Sequence, residues 1–222
     1  MTEEAAAGSG RSSSLRLLCG AAAIAAAIGV GAGVAIHLAA RSSAARAAPR
    51  LPALEGQAVW PAGRRPAPNF VLVDQRGRHV SLRSSRGRTV VLAFMDSLCH
   101  QVCPLEGRTL AQAMAAVPRA ARPTLLVVSV DPWGDTPASA RAAAAKWRLA
   151  GNWHWLLGSR RELAPVWRAY RIYVRRTSGD IIHSDAVYVV DRNGFERAGY
   201  LYPFLPGPVA HDLRVLARPG SA

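Results

Sequence analysis

Two stretches of the chain, Thr89–Met95 (TVVLAFM) and Thr124–Val130 (TLLVVSV), are apolar almost without interruption. A strand with one wet face alternates apolar and polar residues. An unbroken run instead predicts a strand buried on both sides. Strands of that kind need cover above and below, which places the chain among the α/β folds. The segment between the two runs supplies a helix from about Pro104 to Val117. After the second run, Asp135-Thr136-Pro137 opens another helix, to about Arg148, with Thr136 as its N-cap and Pro137 as its first residue.

The other signals fit the same class. Phe70–Asp74 and His79–Leu82 flank Gln75-Arg76-Gly77-Arg78 and predict a hairpin. Trp153–Leu157 reads as a short strand and Arg161–Tyr170 as a helix. Ala186–Val190 and Phe195–Leu201 flank Asp191-Arg192-Asn193-Gly194, a hairpin turn, and Val209–Ala217 is a closing helix. Strand–helix–strand–helix followed by a hairpin and a helix is the thioredoxin-like order, over a folded part spanning residues 69–218.

Ahead of it lie three segments of different composition. Residues 1–16 form a short N-terminal stub, and Leu17–Ala40 is a run of 24 residues with no charged side chain. At about 1.5 Å per residue such a helix crosses a hydrocarbon core of about 30 Å. The expectation is an N-terminal transmembrane helix. Its length fits an uncleaved anchor better than a signal peptide, whose apolar region is about 7–15 residues, although Ala45-Arg46-Ala47 imitates a cleavage site. Arg11 and Arg16 precede the run while Arg41, Arg46 and Arg50 follow it, so flanking charge does not set the orientation. A short stub before a large domain points to an exported domain on a single-pass anchor. Residues 41–68 hold five prolines among Ala and Arg, as an extended tether would.

Composition narrows the function. The chain carries 28 Lys+Arg against 14 Asp+Glu, a formal charge of +14. Only Lys146 is lysine, and the arginines are scattered rather than gathered in a run, which argues against nucleic acid as a partner. Three cysteines exclude a disulfide-stapled scaffold.

Two of those cysteines form the sharpest feature, Cys99-His100-Gln101-Val102-Cys103-Pro104, between a buried strand and a helix. A helix N-terminus favours thiolate, and a spacing of four brings both sulfurs to one side of a turn. They could share a metal, close a disulfide, or simply be buried. Thioredoxin-type exchange uses a spacing shorter by one residue, with a Pro just before Ala186–Val190 that is absent. A peroxide-reducing site would want Pro and Thr or Ser where Leu92 and Asp96 stand. Two thiolates leave a metal site incomplete. Among six histidines, His37, His79, His154 and His211 fall in a span, strands or a helix. His100 adjoins Cys99 and does not share its helical face. His183, just before a predicted core strand, is placed equally well to be a ligand or a satisfied loop histidine. Asp135 reads as a helix-capping residue, and neither it nor Asp131 as a metal ligand.

Phe94–Leu110 (FMDSLCHQVCPLEGRTL), Ser129–Pro137 (SVDPWGDTP) and His183–Gly194 (HSDAVYVVDRNG), in that order, resemble the Sco/SenC family of copper-handling proteins, over about residues 66–215. That family has a membrane-anchored thioredoxin-like domain with a C-x-x-x-C-P motif, a D-P-x-x-D-T segment and a distant His. The resemblance implies copper, as Cu(I) or Cu(II), bound by Cys99, Cys103 and His183. Such a soft set suits Cu(I) and also holds Cu(II). It further implies a metallochaperone delivering copper to the binuclear copper centre of cytochrome c oxidase. The implied partners are the oxidase's copper-receiving subunit and other copper chaperones or thiol oxidoreductases. A thiol–disulfide oxidoreductase using Cys99 and Cys103 as its redox pair, or a copper or redox sensor, is the alternative. Two positions depart from the family: His100 stands where Pro is usual after the first Cys, and Ser97 where Thr is common. Neither removes a ligand, and His100 could alter access or add a fourth contact.

Overall fold

The computed structural model describes residues 52–221, so the expected anchor at 17–40, with Cys19 and His37, lies outside the described residues. Among those residues no helix is long and apolar enough to cross a membrane. The strands are β1 (Ala58–Val59), β2 (Val71–Asp74), β3 (His79–Ser81), β4 (Val90–Met95), β5 (Thr124–Ser129), β6 (Trp153–Leu157), β7 (Val174–Arg176), β8 (Ile181–His183), β9 (Ala186–Val190) and β10 (Glu196–Leu201). The helices are α1 (Cys103–Ala115), α2 (Pro137–Lys146), α3 (Arg160–Ala169) and α4 (Pro206–Leu216). Eight strands make one sheet in the order β1-β10-β9-β4-β5-β6-β2-β3, and β7 pairs only with β8.

The two apolar runs are the central strands. Each residue of β4 and β5 is buried, and the two pair in parallel from Val90–Thr124 to Met95–Ser129. Their side chains alternate between two cores, as the pleat requires. Val91, Ala93 and Met95 join Leu110 of α1, Ala140 of α2 and Leu213 of α4. Leu92 and Phe94 join Leu163, Val166 and Trp167 of α3 on the opposite face. Each large apolar side chain so buried contributes about 1.5–3 kcal/mol.

Helix starts follow from local chemistry. At α2, Thr136 accepts from the Ser139 amide at 3.1 Å while Ser139 Oγ accepts from the Thr136 amide at 2.9 Å, a reciprocal capping box. At α3, the Ser159 amide and hydroxyl both donate to Glu162 Oε2 at 2.7 Å. Gly194, at φ +86°, completes the turn between β9 and β10 that Asn193-Gly194 predicts.

Two features differ from the expectation. The sheet takes in part of the Pro-rich segment: Ala58 and Val59 pair with Gly199 and Ala198 at the edge, and Trp60 N–H donates to Arg197 O at 2.9 Å. The fold therefore begins ahead of Asn69, because an extended Pro-rich backbone can still pair along one side of an edge strand. Second, residues 174–183, for which the sequence signals no element, form the β7–β8 hairpin, in which Val174 opposes His183.

Helix α1 approaches the end of α2 closely because residue 107 is Gly. A Cβ there would come within 2.6 Å of the Trp147 ring, itself buried at 1% exposure. Gly107→Ala should therefore destabilise the domain by about 1–3 kcal/mol. Gly207→Ala, which meets nothing within 4 Å, should stay within about 0.5 kcal/mol. Denaturant unfolding of both variants checks this, and a neutral Gly107→Ala would contradict the close packing.

Candidate metal centre

Strand β4 ends at Met95, and the chain turns through Asp96–Val102 into α1. The turn is held from inside. Asp96 Oδ1 accepts from the Leu98 amide at 2.7 Å, and Asp135 Oδ1 accepts from the Ser97 amide at 2.9 Å and from Ser97 Oγ. Asp135 Oδ2 accepts from Trp155 Nε1 at 3.2 Å. Asp135 thus ties the cysteine turn to the β6 core, while Thr136 alone caps α2. The helix-capping role expected of Asp135 is corrected, because its carboxylate points back toward Ser97 rather than along α2. Asp131 accepts from the Trp133 and Gly134 amides, both at 3.1 Å, and shapes the neighbouring turn. Carboxylate oxygens of Asp96, Asp131 and Asp135 lie within 4.8 Å of one another, and these bonds to backbone and side chains account for their gathering.

Cys99 is half-buried and Cys103 is fully buried at 0% exposure. Val102, the residue before α1, offers no side-chain cap. The Cys99 sulfur takes that place. The Cys103 thiol beside it, with the amides of Cys103, Gln101 and Val102, outweighs burial and brings its pKa down to about 5. The Cys103 thiol moves the opposite way, far above its ordinary value. Its proton is held in the bond to Cys99, and burial beside that thiolate adds to the effect. The pair is therefore unequal, with Cys99 the sulfur shifted toward thiolate and Cys103 the one shifted toward thiol.

The β7–β8 hairpin brings in the histidine. His183 ends β8, and its Nε2 lies 3.6 Å from Cys103 Sγ. Its Nδ1 is 3.1 Å from the Ser184 carbonyl. A carbonyl only accepts, so Nδ1 carries a proton and Nε2 is the nitrogen that faces the sulfur. Cys103 Sγ, His183 Nε2 and an Asp185 carboxylate oxygen all lie within 4.8 Å of one another. Cys99 is outside that tight group and reaches it through Cys103.

His100 is exposed and lines a cavity of about 410 Å³ with Cys99, Leu98, Trp133 and Arg176. His79 is exposed on β3, His154 binds Asp74 Oδ2 at 3.0 Å, and His211 binds the Ala53 carbonyl at 3.0 Å, all in framework positions.

Sequence reasoning passed over two carboxyl groups here. Asp185 lies 3.5 Å from His183 Nε2, and burial raises its pKa. Its spacing of two from His183 in an extended segment was the available signal, since such residues share a face. Glu106, one turn beyond Cys103, is wholly buried with neither carboxylate oxygen hydrogen-bonded. Burial, and then the charges of Asp185 and Cys99, raise its pKa well above the ordinary value. It occupies a position on the buried stripe of α1, where an apolar residue would be usual.

The thiol asymmetry has a direct readout. A lowered pKa means the Cys99 thiolate persists until the pH falls through about 5. Iodoacetamide labelling followed on the Cys99 peptide should therefore have its midpoint near pH 5, with Cys103 unreactive. In Cys103→Ala the midpoint should rise toward the ordinary thiol value of about 8.5. A midpoint near that value in the parent chain would contradict the assignment.

A family model described as SCO1/SenC matches residues 62–218. The mitochondrial SCO2 homolog of Bos taurus is 32% identical over 139 residues, which cover 57% of this chain and 50% of that protein. The chain thus spans about half the length of that relative. The SCO1 homolog of Bacillus subtilis (strain 168) is 28% identical over 147 residues, covering 59% of this chain and 75% of that protein. Among solved structures, Bradyrhizobium japonicum ScoI with copper bound is 28% identical with a TM-score of 0.60, covering 68% of this chain and 98% of that one. The α/β architecture with its thioredoxin-like order is shared with these neighbours. With a family model matching residues 62–218, from just after β1 to just beyond α4, the chain belongs to the SCO1/SenC family.

Proposed function

We propose that this chain is a copper metallochaperone that holds copper through Cys99, Cys103 and His183. The observation carrying this reading is the approach of His183 Nε2 to Cys103 Sγ at 3.6 Å, with Nδ1 held by the Ser184 carbonyl. Two sulfurs and one imidazole nitrogen form a soft, three-donor set, whereas structural zinc sites close with four ligands. The copper-bound state of the Bradyrhizobium relative supports the same choice of metal.

The protonation states favour a monovalent cargo. With Cys99 ionised and Cys103 protonated, the pair carries one negative charge. Ligation by both sulfurs must release the Cys103 proton. Exchanging that proton for Cu(I) leaves the buried charge unchanged, whereas Cu(II) adds a positive charge to a partly desolvated site. His183, fixed through Nδ1, can accept the metal without a change of tautomer.

By this reading the copper goes to the binuclear centre of cytochrome c oxidase, through contact with the oxidase's copper-receiving subunit and with upstream chaperones or thiol oxidoreductases. Residues 17–40 would anchor the chain and the tether would present the domain on the extracytoplasmic side. The thiol asymmetry also supports a second reading as a thiol–disulfide oxidoreductase. Cys99 thiolate would attack a partner disulfide, forming a mixed disulfide. Cys103 thiolate would then displace the partner's second thiol, so that this pair is oxidised as the partner's is reduced. Turnover of a disulfide substrate by the metal-free chain is the observation that would favour it.

Titration of the reduced chain with Cu(I) against a competing chelator tests the ligand set. His183→Ala should weaken binding by more than about 100-fold, beyond what loss of an outer hydrogen-bonding partner costs. His100→Ala should change it by less than about 10-fold. Equal losses, or a larger loss at His100, would overturn the choice of third ligand.

A further inference from the structure

Helix α3 presents Arg160, Ala164 and Arg168 at intervals of four, so they line one face of the helix. With Arg175 and Arg176 of β7 and with Trp133 they line a groove of about 370 Å³. The groove is lined by four arginines and no acidic residue. Among the described residues the arginine ion pairs are those of Arg65, Arg78 and Arg197, none of which is here. Four guanidinium groups brought together without a counter-charge repel one another, and the arrangement is relieved by an anionic occupant.

The groove does not stand alone. Trp133 and Arg176 belong both to it and to the 410 Å³ cavity that exposes Cys99 and His100. The Arg176 guanidinium lies 5.1 Å from the Trp133 ring centroid, joining the hairpin that bears His183 to the turn beside the cysteines. Leu98 and Trp133, 47% and 43% exposed, flank the same opening. Large apolar side chains beside a reactive centre, with arginines at their edge, have the make-up of a protein-docking surface. An anionic bilayer could also attract the arginines, but it is flat where the groove is concave, and lying against Trp133 it would close the opening to Cys99.

We infer that the groove of Arg160, Arg168, Arg175 and Arg176 docks an acidic segment of the protein that exchanges copper with Cys99. This rests on the copper-transfer reading above. The arginines steer and orient the partner, and the exposed Leu98 and Trp133 receive it next to the thiolate.

The test uses the full-length chain in phosphatidylcholine nanodiscs, with R160E/R168E/R175E as the variant; Arg176 is kept because it packs on Trp133. Hexaglutamate peptide should bind the parent in a salt-sensitive way, and the variant at least about tenfold more weakly. The copper-loaded variant should hold its metal as the parent does, yet pass it to a soluble binuclear-copper domain of cytochrome c oxidase about tenfold more slowly at low salt. The neutral R160Q/R168Q/R175Q should fall between them, which separates lost attraction from a folding defect. Unchanged peptide binding and transfer would overturn the proposal. So would hydrogen-exchange protection of residues 160–176 that appears only in equimolar phosphatidylcholine and phosphatidylglycerol discs, since that assigns the arginines to the lipid surface. Failure of the copper reading shows separately, as a parent chain that binds no copper, and the peptide arm still decides whether the groove takes acidic chains.

Discussion

Strand β4 pairs in parallel with β5 on one side and antiparallel with β9 on the other, and the candidate centre depends on this double pairing. Parallel pairing puts the end of β4, with the cysteine turn, beside the end of β5, with the Asp131–Asp135 turn. Antiparallel pairing puts the start of β9 at that same end, so that His183, three residues before it, arrives near Cys103. Cys103 and His183, eighty positions apart in the chain, meet because one buried strand has two partners. Burial of β4 on both faces fixes its register, since a slip of one residue would exchange its two cores.

Around that meeting point the polar groups share out very little charge. The Cys99 thiolate is supported by three amides and a thiol. The carboxyl of Asp96 is raised to about 7, first by burial and then by Asp135, Asp131 and Cys99. Asp135, Asp185 and Glu106 are also raised, each chiefly by burial. These carboxyls are shifted toward their neutral forms while Cys99 is shifted toward its thiolate, and a soft cation prefers sulfur to oxygen as a donor.

The parts legible in the sequence were those that carry their own local reason. Unbroken apolar runs identified β4 and β5, Thr136-Pro137 marked the start of α2, and Asn193-Gly194 marked the β9–β10 turn. The cysteine pair stood out because its spacing and its strand-to-helix position are both chemical signals. What escaped notice depends on partners distant in the chain. The strands of the β7–β8 hairpin are three residues each and largely exposed, with no alternation to read. β1 is two residues in a Pro-rich segment and exists because β10 offers an edge. Asp135 could be read only as a cap from its neighbours, since Ser97 and Trp155, its actual partners, lie 38 and 20 positions away. Glu106 was hidden for the opposite reason: a charged residue on a helix is ordinarily assigned to the solvent face.

If Cys99 and Cys103 serve copper as thiolates, as proposed above, metal and disulfide must exclude each other. Copper uptake by the full-length chain, measured on the reduced and the oxidised form together with mass-shift alkylation, tests this directly. Reduced chain should take up about one copper and then resist alkylation at Cys99 and Cys103, because both sulfurs are engaged. Oxidised chain should take up little until reductant is added. Tight copper binding by fully oxidised chain would contradict the account and leave the cysteine pair a structural feature.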